Sequence, residues 1–577
     1  YKTYAYETSS YLNNGTLNIY GNFAHLGSTF SPDDSLTINF LKNTITNISF
    51  ENTSSSFNAN THFKSGKIQI NSPFSGWKLA GDLNIYGTFP SFTNTLDLNG
   101  YTLTVNGNLK QSDPYGYMYI NGGTLNVNGN YLLYSETTDS TTHIKTKSNG
   151  GTLKMVKQTD TVNVSGNYET FAYENSSYLN DGTLNIHGNF THWGSSFNPG
   201  DNLTINFLKD NITEVSFAKT TTSAHFNSNT HFKSGKLKLS GQPSGWTLHQ
   251  NLTFSDTLPA FSGTFDLNGY TMNISDDLNQ PSGTIKVNGG TLNISGNYNL
   301  YGTKTNEVSD LEEYISGGTL VTSKAADVVN IGKDFVAYGD ESSSSLQYGT
   351  ININGDLTHL GYNFAPSNNV TLNFKKVGTT TLNFASTAGH LNTNSHFSSG
   401  NVMILGKPMG WTLNEDITIY GDMPAFTGTF DLNGHGLTFE KSLTQPTGSI
   451  KVNRGTLHMK GDYNLHSTKI DDVTDEKTLA SGGSFLMQNV KDKVTIDGNF
   501  TVYSSNGSDY LKAGTLTLKG NLKQEGGSYS FYPTYLHKTI LAGNATPDKK
   551  QKVSFTNSNC KFYFLELTKP RDCYEFN

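Results

Sequence analysis

The chain has 577 residues, of which 34% are hydrophobic, 12% aromatic and 15% charged, with a net charge of −7 and a pI near 6.1. The aromatic content excludes a disordered chain, and the low apolar fraction indicates a thin core spread over a long body. No stripe of Lys and Arg indicates a nucleic-acid binder, and no apolar run is long enough for a membrane-spanning helix.

Residues typical of strands and turns dominate from the first line of the sequence onward. Leu, Ile, Val, Phe and Tyr alternate with Thr, Asn and Ser, and 58 glycines punctuate them. This vocabulary predicts an all-β protein. The best candidate for a helix is the segment 312–315, which amounts to one turn at most.

A long internal repeat organises the chain. The segment Thr16-Leu-Asn-Ile-Tyr-Gly-Asn-Phe-Ala-His-Leu-Gly27 returns from Thr183 to Gly194 and again, at the same spacing, from Thr350 to Gly361. A partial fourth copy begins at Gly514. These copies predict super-repeats at 1–181, 182–348 and 349–513, with a partial repeat and C-terminal cap at 514–577.

A finer period lies inside each copy. Gly-Asn pairs at Gly107, Gly129, Gly166 and Gly188 leave two gaps of equal length on either side of a longer one. Between them, short segments alternate aliphatic residues with Asn or Thr, which is the period of a strand. Short strands at this spacing predict a long single-stack parallel β-helix, a β-solenoid that is right-handed by the rule for parallel crossovers.

Asn at equivalent corners of such coils predicts hydrogen-bonded ladders. The competing architecture is a string of β-sandwich modules, each one super-repeat long. That architecture predicts linkers between the copies. The junction at 164–182 instead has the same sequence pattern as any other coil, which favours one continuous solenoid.

The end of the chain departs from the pattern. Pro533 and the charged segment 548–552 precede a return to strand-like alternation, which predicts a cap. Cys560 and Cys573 lie close together in sequence and form a possible disulfide, although two cysteines fit either redox state. Because Tyr1 lies within the repeat pattern, we expect flanking sequence before it.

Candidate catalytic chemistry is sparse. The paired carboxylates Asp33-Asp34, Asp276-Asp277 and Asp471-Asp472 fall at three different points of the repeat. Gly434-His435-Gly436 resembles a galacturonase motif, but Tyr replaces His435 in the other copies and the accompanying motifs are missing. The sequence therefore predicts no catalytic residue, no metal site and no cofactor.

Histidines recur at the spacing of the long internal repeat. One site holds His25, His192 and His359, and a second holds His62, His231 and His396. His225 and His390 stand where the first copy has Ser56. Without Cys or paired acids beside them, these residues favour stacking or capping roles over metal binding.

Three Gly-Trp sites are the best candidates for ligand binding. Trp77, Trp246 and Trp411 each sit in a Gly-Trp-x-Leu sequence. Exposed indole rings at regular spacing would stack on sugar rings or on a partner. The alternative is that each ring fills the interior of a coil. Trp193, where the other copies have Leu26 and Leu360, is interpreted as core.

The coils also resemble a known family. The segments from Asp97 to Gln111 and from Asn121 to Tyr131 are similar to repeats in very large surface proteins of Gram-positive, clostridial-type bacteria. Those adhesin-like β-solenoids are akin in architecture to filamentous haemagglutinin. The resemblance implies a secreted or cell-surface location and a structural or adhesive role, and it transfers no site residue.

The sequence therefore predicts a non-catalytic extracellular rod, either a bacterial surface stalk or a protomer of an end-to-end fibre. A host or polysaccharide ligand fits this role, and neither a nucleic-acid partner nor a membrane span is expected. One alternative is a polysaccharide-binding module that uses the repeated aromatic residues. A second is a polysaccharide-degrading β-helix enzyme, which requires a single-copy cluster of acids.

Overall fold

A computed structural model describes residues 1–577 except 173, 219–222, 308–309, 362, 471–474, 505–508 and 528. The prediction of an all-β parallel solenoid is confirmed, because stacked parallel strands form about 25 turns and 1% of the chain is helical. The chain divides into two compact units, Tyr1–Ser275 and Asp276–Asn577. This division falls inside the second predicted super-repeat.

The first unit stacks its coils through two long parallel sheets and several short ladders. The first long sheet contains, in order, Lys2–Thr3, Phe23–His25, Thr46–Phe50, Lys67–Ile70, Leu83–Ile85, Thr102–Val105, Thr124–Val127, Thr161–Val164, Asp181–Ile186, Asn202–Phe207 and Thr230–Phe232. The second contains Leu109–Lys110, Tyr131–Thr138, Tyr168–Thr170, Phe190–His192, Thr213–Phe217, Lys236–Ser240, Leu252–Phe254 and Thr271–Ile274. The remaining strands are Glu7–Thr8, Gly15–Ile19, Phe30–Ser31, Leu36–Phe40, Thr61–Phe63, Asn94–Asp97, Gly116–Tyr119, Lys145–Asn149, Thr152–Lys154, Glu174–Asn175, Ser196–Asn198, Ser223–Ala224 and Thr264–Asp266.

The second unit repeats this plan with three long sheets. The first contains Leu278–Asn279, Tyr298–Thr305, Phe335–Ala337, Leu357–His359, Thr380–Gly389, Asn401–Pro408, Ile417–Tyr420, Gly436–Phe439, Thr456–Met459, Lys493–Ile496, Ala513–Leu518, Leu536–Leu541 and Phe564–Leu567. The second contains Thr291–Ile294, Val328–Ile331, Gly349–Ile353, Val370–Phe374 and Ser395–Phe397, and the third Leu443–Thr444, Tyr463–Ile470, Phe500–Val502, Leu522–Gln524, Gln551–Phe555 and Tyr574–Phe576. The remaining elements are the strands Thr284–Lys286, Glu312–Ser316, Thr319–Val321, Asp340–Ser342, Asn363–Ala365, Thr429–Asp431, Ser449–Lys451, Lys477–Ser481 and Ser484–Leu486 and the 3-10 turn Arg571–Cys573.

The alternation of apolar and polar residues along each strand determines which side chains form the core. Val162 pairs with Leu184 and Val164 with Ile186 in a parallel register, and all four side chains are buried. Asn163, between the two valines, points to the other face of the strand. Each coil therefore buries one row of aliphatic side chains, and stacking joins those rows into a continuous core.

Asparagine ladders join the coils on the outside. Along the strands, the Asn185 amide donates to Asn163 Oδ1 at 2.8 Å, and Asn206 donates to Asn185 at 2.9 Å. At the corners, the backbone N–H of Asn189 donates to Asn167 Oδ1 at 2.9 Å. The predicted corner ladders are thus present, and the strand ladders are an addition that the sequence did not reveal.

Each predicted super-repeat also projects one antiparallel hairpin from its stack. The three hairpins are Tyr131–Thr138 with Lys145–Asn149, Tyr298–Thr305 with Glu312–Ser316, and Tyr463–Ile470 with Lys477–Ser481. The first hairpin fills the longer gap between the Gly-Asn pairs at Gly129 and Gly166. The weak helix candidate at 312–315 is wrong, because these residues form the returning strand of the second hairpin.

Gln and Gly-Gly residues fix the base of each hairpin. In the second hairpin, Gln280 is buried, and its amide donates to the carbonyls of Gly283 and Thr319. Tyr298 donates to Gln280 Oε1 at 2.6 Å. Burial holds the pKa of the Tyr298 hydroxyl well above its usual range, so the hydroxyl remains a donor. The equivalent glutamines in the other copies are Gln111 and Gln445.

The recurring His-Phe landmarks lie in the last strands of their sheets. In the first unit, Thr230–Phe232 is the last strand of its sheet. The Phe232 N–H donates to Gln250 Oε1 at 2.8 Å, and Gln250 Nε2 donates back to the Phe232 carbonyl at 2.8 Å. The amide side chain therefore takes the place of the next strand. Trp246 lies in the corner just before it.

Candidate functional site

The acidic pairs of the sequence fill structural positions. Asp277 Oδ1 accepts from the backbone of Asn297 at 2.7 Å as part of a corner ladder. Asp33 and Asp34 accept backbone N–H groups of Ser35 and Ala59. Asp471 and Asp472 lie outside the described residues. Within the described ranges, no three His, Cys, Asp or Glu side chains gather as metal ligands.

Three other carboxylates, which the sequence analysis did not single out, are buried in the turns. Asp160, Asp327 and Asp492 are each fully buried, and each accepts three backbone N–H groups. Their spacing follows the long repeat, which is the signal that could have identified them. They close the turns that precede the strands Thr161–Val164, Val328–Ile331 and Lys493–Ile496.

The first set of histidines forms buried pairs with glutamates. His192 Nδ1 lies 3.5 Å from Glu174 Oε2, and His359 Nε2 lies 2.7 Å from Glu341 Oε2. In the first copy, His25 Nε2 contacts the Ala5 carbonyl at 2.9 Å, with Glu7 at 3.8 Å. The Glu partner precedes the His by the same interval in every copy, a regularity that was not predicted from the sequence.

The other histidines that the sequence singled out lie nearer the surface. His62, His231 and His396 are exposed at the ends of their sheets, and His435 lies 3.9 Å from Asp416 Oδ1. Burial lowers the pKa of both His225 and His390. The His390 imidazole lines the same corner as Trp411.

The three Gly-Trp sites do not present exposed rings. Trp77, Trp246 and Trp411 are 5%, 6% and 5% exposed. Trp77 packs on Phe57 and Phe74, Trp246 on Phe226 and Phe265, and Trp411 on Phe430, with ring centroids 4.9–5.6 Å apart. The prediction of stacking platforms is therefore wrong. The interior alternative holds, because each corner turns the indole onto the Phe side chains of neighbouring coils.

Trp193 differs from its prediction in the opposite sense. It is partly exposed rather than core. Its ring packs edge-on against Tyr134, and Lys147 of the first hairpin places Nζ 3.3 Å from the ring centroid. Lys147 also reaches Glu169 at 3.5 Å. This cluster fastens the hairpin to the adjacent coil.

The predicted disulfide is absent, since Cys560 and Cys573 are both free and buried. Cys560 follows the strand Gln551–Phe555, whereas Cys573 immediately precedes Tyr574–Phe576. These two strands pair in parallel. The thiols therefore lie beyond opposite ends of the pair, and a disulfide requires Cα atoms within about 7 Å.

A groove opens beside one of the buried tryptophans. It has a volume of about 340 Å³ and lies at the Gly410-Trp411 corner of the third super-repeat. Its lining residues are Asn368, His390, Leu391, Asn392, Thr393, Met409, Gly410, Trp411, Thr412, Gly428 and Thr429. The volume is at the lower end of the range for small-ligand clefts, about 300–1,000 Å³.

The hairpins supply the other candidate surface. Leu311, Tyr314 and Ile315 of the second hairpin are 66%, 51% and 42% exposed, and Ile144 of the first is 62% exposed. In the described part of the chain, each returning strand pairs only with the outgoing strand of its own hairpin. Such strands offer unpaired backbone groups to a partner.

Comparison with protein-family models, curated proteins and solved structures finds no match to this chain. Over the described ranges, the structure contains no helix with the length and apolar character needed to span a membrane.

Proposed function

We propose that the protein is a non-catalytic structural and adhesive component of a bacterial cell surface. The observation that carries this proposal is the use of the repeated polar residues. Asn163, Asn185 and Asn206 bond to each other. The buried side chains of Asp492 and His359 are likewise bonded to groups of the fold. These groups hold one coil on the next, which is the chemistry of a scaffold.

The proposed extracellular location rests on the resemblance to clostridial-type surface repeats. In this setting the chain acts as a stalk or as a protomer of an end-to-end fibre. The strand Phe564–Leu567 supports end-to-end association, although it lies in the segment predicted to be a cap, since it is the last strand of its sheet and keeps Phe564 and Leu565 53% and 39% exposed. An edge strand of this kind favours addition of a strand from a second copy.

The hairpins support the adhesive part of the proposal. They project from the stack, and their tips differ in charge between copies while the Gln and Gly-Gly bases are the same. Residues 131–149 of the first hairpin have no net charge, whereas residues 298–316 of the second have a net charge of −3. The first range contains Glu136, Asp139, Lys145 and Lys147, and the second Lys304, Glu307, Asp310, Glu312 and Glu313. A constant base with a varied tip is what a display surface requires.

Electron microscopy of the purified full chain tests the structural role. We expect rigid particles of uniform width, either single or joined end to end. Compact globular particles would contradict the proposal.

Sedimentation velocity over a hundredfold concentration range then distinguishes a stalk from a fibre, because only a fibre protomer forms particles whose size increases with concentration. Antibody labelling of intact producing cells tests the location, and labelling only after lysis would contradict it.

A further inference from the structure

The groove at Trp411 contains side-chain donors that the fold does not use. Met409 and His390 have their backbone N–H groups bonded to Gly389 and Phe364, and the Trp411 carbonyl accepts from Asp431. Among the described residues, however, no group pairs with the Trp411 indole N–H or the His390 ring. Trp411 is 5% exposed and is one of the residues that line the groove.

The groove is also electrically neutral. No Lys, Arg, Asp or Glu is among the described residues that line it. His390 is half-buried, and that burial lowers its pKa, so the imidazole is uncharged at neutral pH. The lining therefore offers an indole N–H, an imidazole and three threonine hydroxyls against the apolar side chains of Leu391 and Met409.

The corresponding corners of the other super-repeats carry charge. Asn368 corresponds to Asp34 and Asp201, as shown by the backbone N–H of Thr393 donating to Asn368 Oδ1 and that of Ala59 donating to Asp34 Oδ1. In the first copy, Lys78 also stands in place of Thr412. There, Ser56 replaces the imidazole and donates to the backbone carbonyl of Gly76. The uncharged groove is thus specific to the third super-repeat.

We propose that this groove binds a neutral sugar residue of a polysaccharide, which accepts from the Trp411 indole N–H and exchanges hydrogen bonds with His390 and the threonine hydroxyls. The indole acts through its N–H edge, because its face is covered by the Phe430 ring at 4.9 Å. A sugar uronate or phosphate is disfavoured, since its charge would lose water without gaining a cationic partner. This role goes beyond the scaffold proposed above and operates equally in a single chain or a fibre.

Titration calorimetry of the full chain with neutral oligomers of glucose, galactose, mannose and N-acetylglucosamine tests the proposal, with galacturonate oligomers as the charged counterpart. We expect at least one neutral oligomer to bind. Trp411→Phe keeps the packed ring but removes the N–H, and we expect about three- to tenfold weaker binding, as for loss of one uncharged hydrogen bond. Trp77→Phe is the matched control and should leave binding unchanged.

Two further variants use residues that the chain itself places at equivalent positions. His390→Ser introduces the residue that the first copy has at this position, and it should weaken binding. Asn368→Asp introduces the residue of the second copy, and it should weaken binding as well. Circular dichroism melting shows whether each variant folds. The proposal is overturned if no neutral oligomer binds at millimolar concentration, if Trp77→Phe matches Trp411→Phe, or if galacturonate binds more tightly than every neutral oligomer. Failure here leaves the scaffold role intact, because that role is measured by particle shape.

Discussion

The buried carboxylate Asp492 offers a direct measure of how the turns are held. Its oxygens accept the backbone N–H groups of Arg454, Gln488 and Asn489 at 2.6, 2.8 and 3.0 Å. Asp492→Asn keeps the acceptor for Arg454, but it turns an amide NH₂ towards the N–H groups of Gln488 and Asn489. Each buried donor left without an acceptor costs ~1–3 kcal/mol, so we expect a loss of roughly 2–4 kcal/mol.

Hydrogen exchange read by mass spectrometry is the suitable assay, because it resolves the local opening of single coils in a repeat protein. Peptides covering residues 488–489 should exchange ten- to a thousandfold faster in Asp492→Asn. The control is Asp509→Asn, which removes a surface carboxylate that is 79% exposed and paired with Lys512. An exposed pair contributes below ~1 kcal/mol. Equal exchange in the two variants would refute the reasoning.

Three further predictions concern a hairpin base, a buried histidine and the thiols. Gly317→Ala places a Cβ 2.5 Å from the Tyr301 backbone, so we expect a loss of ~1–3 kcal/mol in urea unfolding, whereas Gly527→Ala meets nothing within 4 Å and should be neutral. Burial lowers the pKa of His537 from 6.5 to about 4, so the unfolded state takes up the proton first and stability falls as the pH drops through that window. The loss is roughly 2–3 kcal/mol, and urea unfolding at pH 7 and pH 4.5 should show it in the native chain and a smaller loss in His537→Leu. Iodoacetamide should add two adducts to the denatured chain without reductant, and a mass showing none would mean that Cys560 and Cys573 are linked.

Much of the fold follows from the sequence because its signals are local and repeated. Alternation in Leu125-Asn-Val127 and its equivalents gives the strand faces, and the Gly-Asn pairs give the coil length. The hairpins were not predicted because residues 312–315 show no clear alternation of apolar and polar side chains. In addition, an inserted antiparallel hairpin leaves the repeat pattern of the coils before and after it unchanged. The sequence therefore shows a longer gap without showing what fills it.

The candidate sites were harder to predict, because tertiary packing decides whether a given side chain points into the core or towards solvent. Trp411 and Trp193 both follow strand-like segments, yet one is covered by Phe430 and the other by a lysine of a hairpin. The Glu341–His359 pair was detectable as an interval that recurs in every copy, but only the histidine attracted notice. A groove whose ligand-binding groups come from three successive coils has no linear motif.

The hairpins have a consequence for how such a chain changes over generations. In the second hairpin, the parallel pairing between coils includes Tyr298 at the start of the outgoing strand, and bonding to a neighbouring coil resumes at Gly318, after the returning strand. The tip between them therefore contributes nothing to the register of the coils. Insertions, deletions or foreign peptides at the tip therefore leave the stacking of neighbouring coils intact. The fold thus separates a constant frame from tips at which changes do not disturb the stacking, which makes the hairpin tips natural positions for grafting epitopes or enzymes onto the scaffold.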